Sequence, residues 1–316
     1  MRFFTLAGAL VFFSGRGRAV SASSPAPYQG FNLIVVSLTN IGTEHMSLYG
    51  YKRDTTPKLA KWAEGSLVFE NAYSLASWTL PAATSMFTGL YPYTHKVLDR
   101  ERNQLLSKKA RTLAEVLKKA GYSTAAFTGG LDYMRSAGHM RGFETMPDNP
   151  PFTKFEVTIP QAKTWLLGRS GKPFFLFLHG YDAHPPFIPS GRFKGIYSEP
   201  RAPDVKVDPA YTYRGYLDTG SGTMTAYYHE ARAATGLSAS GEKTGQPKQV
   251  VLRQADLDYL TAVYDEKVRD VDLLVGEFLE SLSPEIRKNT VIAIVSEHGD
   301  LFGRHGRFGR GGAHSG

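Results

Sequence analysis

The sequence predicts an α/β fold, a mostly parallel sheet flanked by helices on both faces. Three observations carry this. Short apolar runs alternate with helix-period segments along the 316 residues. The runs are continuously apolar, as strands buried on both faces are. Polar clusters directly follow three of them, where parallel sheets place their ligand sites.

The strand candidates are residues 33–38 (LIVVSL), 67–69, 122–127 (YSTAAF), 174–178 (FFLFL) and 291–295 (VIAIV). Helices lie between them. Thr56 caps a helix that begins at Pro57. Residues 82–88 read as a helix start closed by Gly89. Thr112 and Glu115 form a capping-box pattern, with Leu113, Val116, Leu117 and Ala120 as the apolar face. The longest helix covers about 254–282, where Leu257, Leu260, Tyr264, Val268, Val271, Val275, Phe278 and Leu282 recur at three- and four-residue steps. Residues 190–248 show no sustained period. They read as an irregular insertion at about 190–250, with a short helix near 224–234.

Composition narrows the function classes. With 42% hydrophobic residues the chain can bury a core. It holds 37 basic and 29 acidic residues, and Arg2, Arg16 and Arg18 fall in an acid-free N-terminus, so the rest carries 8 − 3 = +5. That excess suits an anionic partner. No basic run or nucleic-acid motif is present, so nucleic acid is not an expected partner. Cysteine is absent, which excludes disulfides, thiolate metal sites and a cysteine nucleophile. Residues 1–22 read as a secretory signal: one Arg, an apolar run at 3–13, and small residues before a cleavage point after Ala22. The expected location is periplasmic or secreted. Arg16 and Arg18 leave an uncleaved N-terminal anchor as the alternative, and as the one expected route to a membrane. The remaining domain is 30–316.

Two stretches carry chemistry. In ASWTLPAATSMFTGLYP (76–92), Thr79 stands at a helix start, where backbone N–H groups and the helix dipole favour negative charge. Spacing alone leaves it a nucleophile or a cap. In IAIVSEHGDLFGRHGRFGRGG (292–312), an apolar run stops on Glu297-His298-Gly299-Asp300, and Arg304, His305, Arg307 and Arg310 follow. This reads either as a metal-and-anion site or as a polar rim loop.

With NLIVVSLTNIG, YGY, TPKLAKWAEGSLVFENAYS, TGLYPYTH, KPFFLFLHGYDAHPPFIP and LDYLTAVYDEKVRDVDLLVGEFLESL in the same order, the chain resembles the sulfatases and related hydrolases of the alkaline phosphatase superfamily, from about residue 31 to 312. The resemblance implies metal-dependent hydrolysis of an anionic sulfate, phosphate or phosphonate ester. Thr79 falls at the nucleophile position. Other members have Thr there, or Cys or Ser matured to formylglycine; without Cys, maturation is not expected. Glu297 and His298 fall at an Asp-His metal pair, and Thr39 and Asn40 fall at the metal positions that end the first strand. The ion would be Ca, Mg, Mn or Zn. His184 falls on the leaving-group side, and Arg310 at an anion contact that Arg can make bidentately.

The sequence departs from that pattern at three site positions. Thr39 replaces an Asp, and a neutral hydroxyl is a weaker partner for a hard cation. Glu297 replaces Asp with one more methylene. Ala83 stands where Arg or His supports the nucleophile. Relatives also continue with further strands, so a missing C-terminal part is expected. The leading expectation is a hydrolase with a partly degraded site. The alternatives are a non-catalytic relative binding anionic glycans or lipid headgroups, and a truncated product with an uncovered sheet edge. His45, His95 and His305 carry no assignment. Asp265, Asp270 and Asp272 on the long helix read as a solvated face or a packing contact.

Overall fold

The computed structural model describes residues 30–100, 104–169, 171–218, 223–230 and 248–309. The proposed signal at 1–22 and Arg310 lie outside the described residues. In chain order, β1 (Asn32–Leu38) is followed by α1 (Pro57–Ala63), α2 (Thr79–Thr88), α3 (Pro92–His95), α4 (Leu113–Lys119) and β2 (Ser123–Phe127). Next come α5 (Phe155–Leu167) and β3 (Phe174–Gly180), then β4 (Tyr211–Asp218), β5 (Thr223–Glu230) and β6 (Lys248–Leu252). The long α6 (Gln254–Glu280), α7 (Pro284–Lys288), β7 (Thr290–Val295), β8 (Leu301–Phe302) and β9 (Arg307–Gly309) complete the order.

The first sheet has the order β2-β3-β1-β7, and every neighbouring pair is parallel. Successive residues of a strand face opposite sides, so the continuous apolar runs fill two cores. Ile34, Val36, Leu176 and Leu178 pack with Phe155 and Leu166 of α5 and with Leu260, Tyr264 and Val268 of α6. Phe175, Phe177 and Ala126 pack with Ala83 and Phe87 of α2 and Ala114 of α4. Helices therefore cover both faces. Local signals set their ends. The Thr112 hydroxyl accepts from the Glu115 N–H and the Glu115 carboxylate accepts from the Thr112 N–H. Gly89, at φ 69°, closes α2 in the left-handed conformation that favours glycine.

The 190–250 region differs from the sequence expectation. Within it β4, β5 and β6 belong to a second, antiparallel sheet of order β6-β5-β4-β9-β8. Residues 223–230 form β5 where a helix near 224–234 was predicted. Tyr213, Met224, Ala226 and Leu252 from this sheet join the core that α6 lines. Its strands alternate buried and exposed residues, Tyr213 against Arg214 and Ala226 against Tyr227. Tyr occupies both faces, with Tyr213 and Tyr228 on one and Tyr227 on the other, so the alternation is invisible to a hydrophobicity count. Residues 67–69 are not a strand, and Leu67 and Phe69 are exposed. On α6, Asp265, Asp270 and Asp272 are buried, which decides for packing over a solvated face.

Candidate active site

The site forms where the ends of β3, β1 and β7 meet. Ser37 lies beside His179 on one flank and Val295 on the other. This register brings 37–40, 179–184 and 296–300 together. Ser296 joins two of them: its Oγ lies 2.5 Å from the Leu38 carbonyl and 2.8 Å from the His298 carbonyl, and it accepts from the Ile41 N–H at 3.2 Å. The chain leaves β1 by a left-handed turn at Asn40, φ 66°, which Asn tolerates. The Asn40 amide donates to the Ala183 carbonyl and to Asp300 Oδ2, each at 3.0 Å. Tyr264 Oη donates to the Asn40 carbonyl at 2.7 Å.

Glu297 sits inside a chain of buried polar groups. Ser37 Oγ donates to Oε2 at 2.7 Å, and Thr39 Oγ1 donates to Oε1 at 2.8 Å. His179 Nε2 contacts Thr39 Oγ1 on its other side. The Gly129 N–H donates to His179 Nδ1 at 3.1 Å, so the ring proton resides on Nε2 and points at Thr39. Burial raises the Glu297 pKa against the opposing bonds from Ser37 and Thr39. Burial, reinforced by His298, holds His179 well below its ordinary value, which keeps it neutral.

Thr79 is the first residue of α2 and is buried. Its Oγ1 lies 3.1 Å from His298 Nε2. On the other edge of that ring, Nδ1 lies 3.0 Å from the Gly299 carbonyl. A carbonyl only accepts, so Nδ1 carries the proton and Nε2 accepts from Thr79. This is a hydroxyl, a base and a group that orients the base, the arrangement that activates a nucleophile. The first turn of α2 also leaves backbone N–H groups without intrahelical partners. A cavity of about 1120 Å³ reaches Ser77, Ala82, Glu297 and His298. Ala83 is fully buried and brings no polar group.

The structure thus gathers Thr39, Asn40, Thr79, Glu297 and His298. His184 follows Ala183, whose carbonyl anchors Asn40, but its ring packs 4.9 Å from Phe152 and 5.3 Å from Tyr181. Sequence reasoning missed Ser37 and His179. Their signal is positional: they are cross-strand partners near the ends of adjacent strands, a fact only the register supplies.

The residues implied as metal ligands do not fit a divalent ion. Of Thr39, Asn40, Glu297 and His298 only Glu297 is a carboxylate, and both its oxygens accept hydroxyl protons. Asn40 turns its amide nitrogen, which cannot ligate, toward Asp300. His298 Nε2 receives Thr79. Asn40 Oδ1 is buried without a hydrogen-bond partner, but one neutral oxygen does not make a site for a hard cation. Among the described residues, no group of three or more His, Asp or Glu side chains is placed to hold an ion.

Comparison with known proteins agrees with the fold. A multifunctional alkaline phosphatase superfamily protein of Trinickia caryophylli, PehA, is 24% identical over 313 residues, covering 81% of this chain and 59% of its own length. Phosphonate monoester hydrolase of Agrobacterium radiobacter superposes with a TM-score of 0.62 at 15% identity, over 90% of this chain and 66% of that one. The C-terminal periplasmic domain of EptC from Escherichia coli, solved in complex with Zn, gives 0.57 at 16% identity, over 89% and 68%. The chain spans about half the length of the curated relatives it matches. The sulfatase family model matches residues 32–315, nearly the whole sequence, and the chain belongs to the sulfatase family.

Proposed function

We propose that this chain is a hydrolase of sulfate, phosphate or phosphonate esters in which Thr79 is the nucleophile and His298 its base. The observation that carries the reading is the 3.1 Å contact between Thr79 Oγ1 and His298 Nε2 at the start of α2. His298 Nε2 takes the hydroxyl proton as Oγ1 bonds to sulfur or phosphorus. The ester's alkoxide leaves and takes that proton, giving an alcohol and a threonyl ester. Water then attacks the same sulfur or phosphorus and gives a proton to Nε2. Thr79 Oγ1 leaves and recovers that proton. A positioned base of this kind contributes about 10²–10⁴-fold.

Negative charge on the transferred group would be met by the first-turn N–H groups of α2. Arg310 would pair with that group and His184 would assist the leaving alcohol; both roles rest on the resemblance. No step is routed through a metal ion, because the donor set does not fit one. We infer export to the periplasm or beyond from residues 1–22. Among the described residues no helix is long and apolar enough to cross a membrane.

The test is a panel of an aryl sulfate, a phosphate monoester, a phosphate diester and a phosphonate monoester. Thr79→Ala is expected to lower kcat/KM by about 10³-fold or more on any ester turned over. Acid quenching should trap a phospho- or sulfo-adduct on the Thr79 peptide. Unchanged turnover by Thr79→Ala rejects the assignment. One observation favours a second reading, a binding protein for anionic glycans or headgroups: the Glu297 carboxylate is closed off by hydroxyls. Salt-sensitive binding to a sulfated polysaccharide, with no ester cleaved, would select that reading.

A further inference from the structure

We infer that this chain has replaced its family's cation with an internal hydroxyl cage around Glu297, so that these residues neither need nor bind a divalent ion. The inference is independent of whether Thr79 turns over an ester.

The cage is directional, and each link fixes the next. The Gly129 N–H donates to His179 Nδ1 and sets the ring's tautomer. The Nε2 proton then fills the acceptor side of Thr39 Oγ1. Thr39 has one hydroxyl proton left, and Glu297 Oε1 accepts it. Ser37 supplies the same to Oε2. Each Glu297 oxygen gives one lone pair to a β1 hydroxyl, and Thr39, Asn40 and His298 add no second carboxylate to share the charge a hard cation demands. All four side chains are almost completely buried, so water does not compete for these bonds.

Two departures from the family pattern make sense together. An Asp at position 39 beside Glu297 would set two carboxylates against each other unless a cation lay between them. A Thr there supplies a proton instead of a charge. The extra methylene of Glu297 lets one side chain on the β7 end reach both Ser37 and Thr39 on β1. The exchanged pair is therefore self-consistent without an ion. Glu297 is a positioning residue: it anchors the strand end from which His298 meets Thr79.

The full purified chain and its Glu297→Gln variant are melted in EDTA and in excess Ca²⁺, Mg²⁺, Mn²⁺ or Zn²⁺. A site filled at about 100 times its Kd raises a melting midpoint by several degrees. The expected result is no resolvable ion-induced shift in either protein. A shift of several degrees in the wild type that Glu297→Gln lacks overturns the inference. Should Glu297→Gln fail to fold, calorimetric titration of Ca²⁺ and Mg²⁺ into the wild type decides. No saturable heat is expected, and a one-to-one isotherm overturns the inference.

Discussion

Along α6, buried carboxylates accept from segments far away in sequence. Asp256 accepts from the Lys206 and Val207 N–H groups, Glu266 from Tyr197 and Ser198, Asp270 from Arg192 and Phe193, and Asp272 from Lys58 and Leu59. Asp265 takes His45, Tyr51 and Arg53 at 2.6–2.8 Å. At the end of β7, Glu297 is equally buried but accepts from two hydroxyls linked to an imidazole. Asp256, Glu266, Asp270 and Asp272 engage backbone donors, which the fold holds, and so fasten loops; Asp265 fastens residues 45–53 through its buried ion pair with Arg53 and the side chains of His45 and Tyr51. Hydroxyl donors rotate and can exchange partners. The α6 carboxylates therefore carry structure, while Glu297 stands in chemistry that sequence change can rewire.

Four measurements test this contrast. The largest effect is expected at Asp265, whose loss leaves Arg53 and two further donors without their shared partner. Asp265→Ala should cost about 3–5 kcal/mol in urea unfolding; a cost near zero would end the fastener reading.

Asp182, just past β3, comes next. Its Oδ2 accepts from the Phe155 N–H at 2.9 Å, and loss of water pushes its pKa from 3.8 up to about 6. The folded state therefore binds the extra proton between those values. Stability falls as pH rises through that window, and the full penalty is present above pH 6. Asp182→Asn should be more stable than wild type at pH 7.5 by about 3 kcal/mol, an advantage that fades by pH 4. A gap independent of pH would refute the assignment.

Asp272→Asn leaves one of the Lys58 and Leu59 N–H groups facing an amide nitrogen instead of an oxygen and should cost about 2 kcal/mol by thermal melting. Glu297→Gln should cost about 1 kcal/mol or less, because Ser37 can rotate to accept from the new amide. Equal losses at Asp272 and Glu297 would erase the distinction between backbone and hydroxyl donors.

Much of the first sheet was legible. Residues 33–38, 122–127, 174–178 and 291–295 became β1, β2, β3 and β7 because a strand buried on both faces must be apolar throughout. The second sheet was not legible. Tyr211, Tyr213, Tyr227 and Tyr228 stand on both faces of β4 and β5, and an aromatic with a polar tip serves either side. Of the site, the polar strand ends were visible and the partners were not. Ser37 looks like an ordinary residue within an apolar strand, and His179 like one more polar residue past the end of another, until the register sets them side by side.

By itself the sequence determined what depends on neighbours along the chain: the apolar runs, the Thr112–Glu115 capping box, the glycine stop of α2, and Thr79 at that helix's start. Long-range packing brings Glu297 onto Ser37 and Thr39, His179 onto Thr39, and His298 onto Thr79. These bonds join residues 140 to 260 positions apart. Their direction follows from the register of three parallel strands and from one backbone N–H and one backbone carbonyl that select the tautomers of His179 and His298. Neither is encoded in any local stretch, because a hydrogen bond's direction depends on where its partner's proton lies.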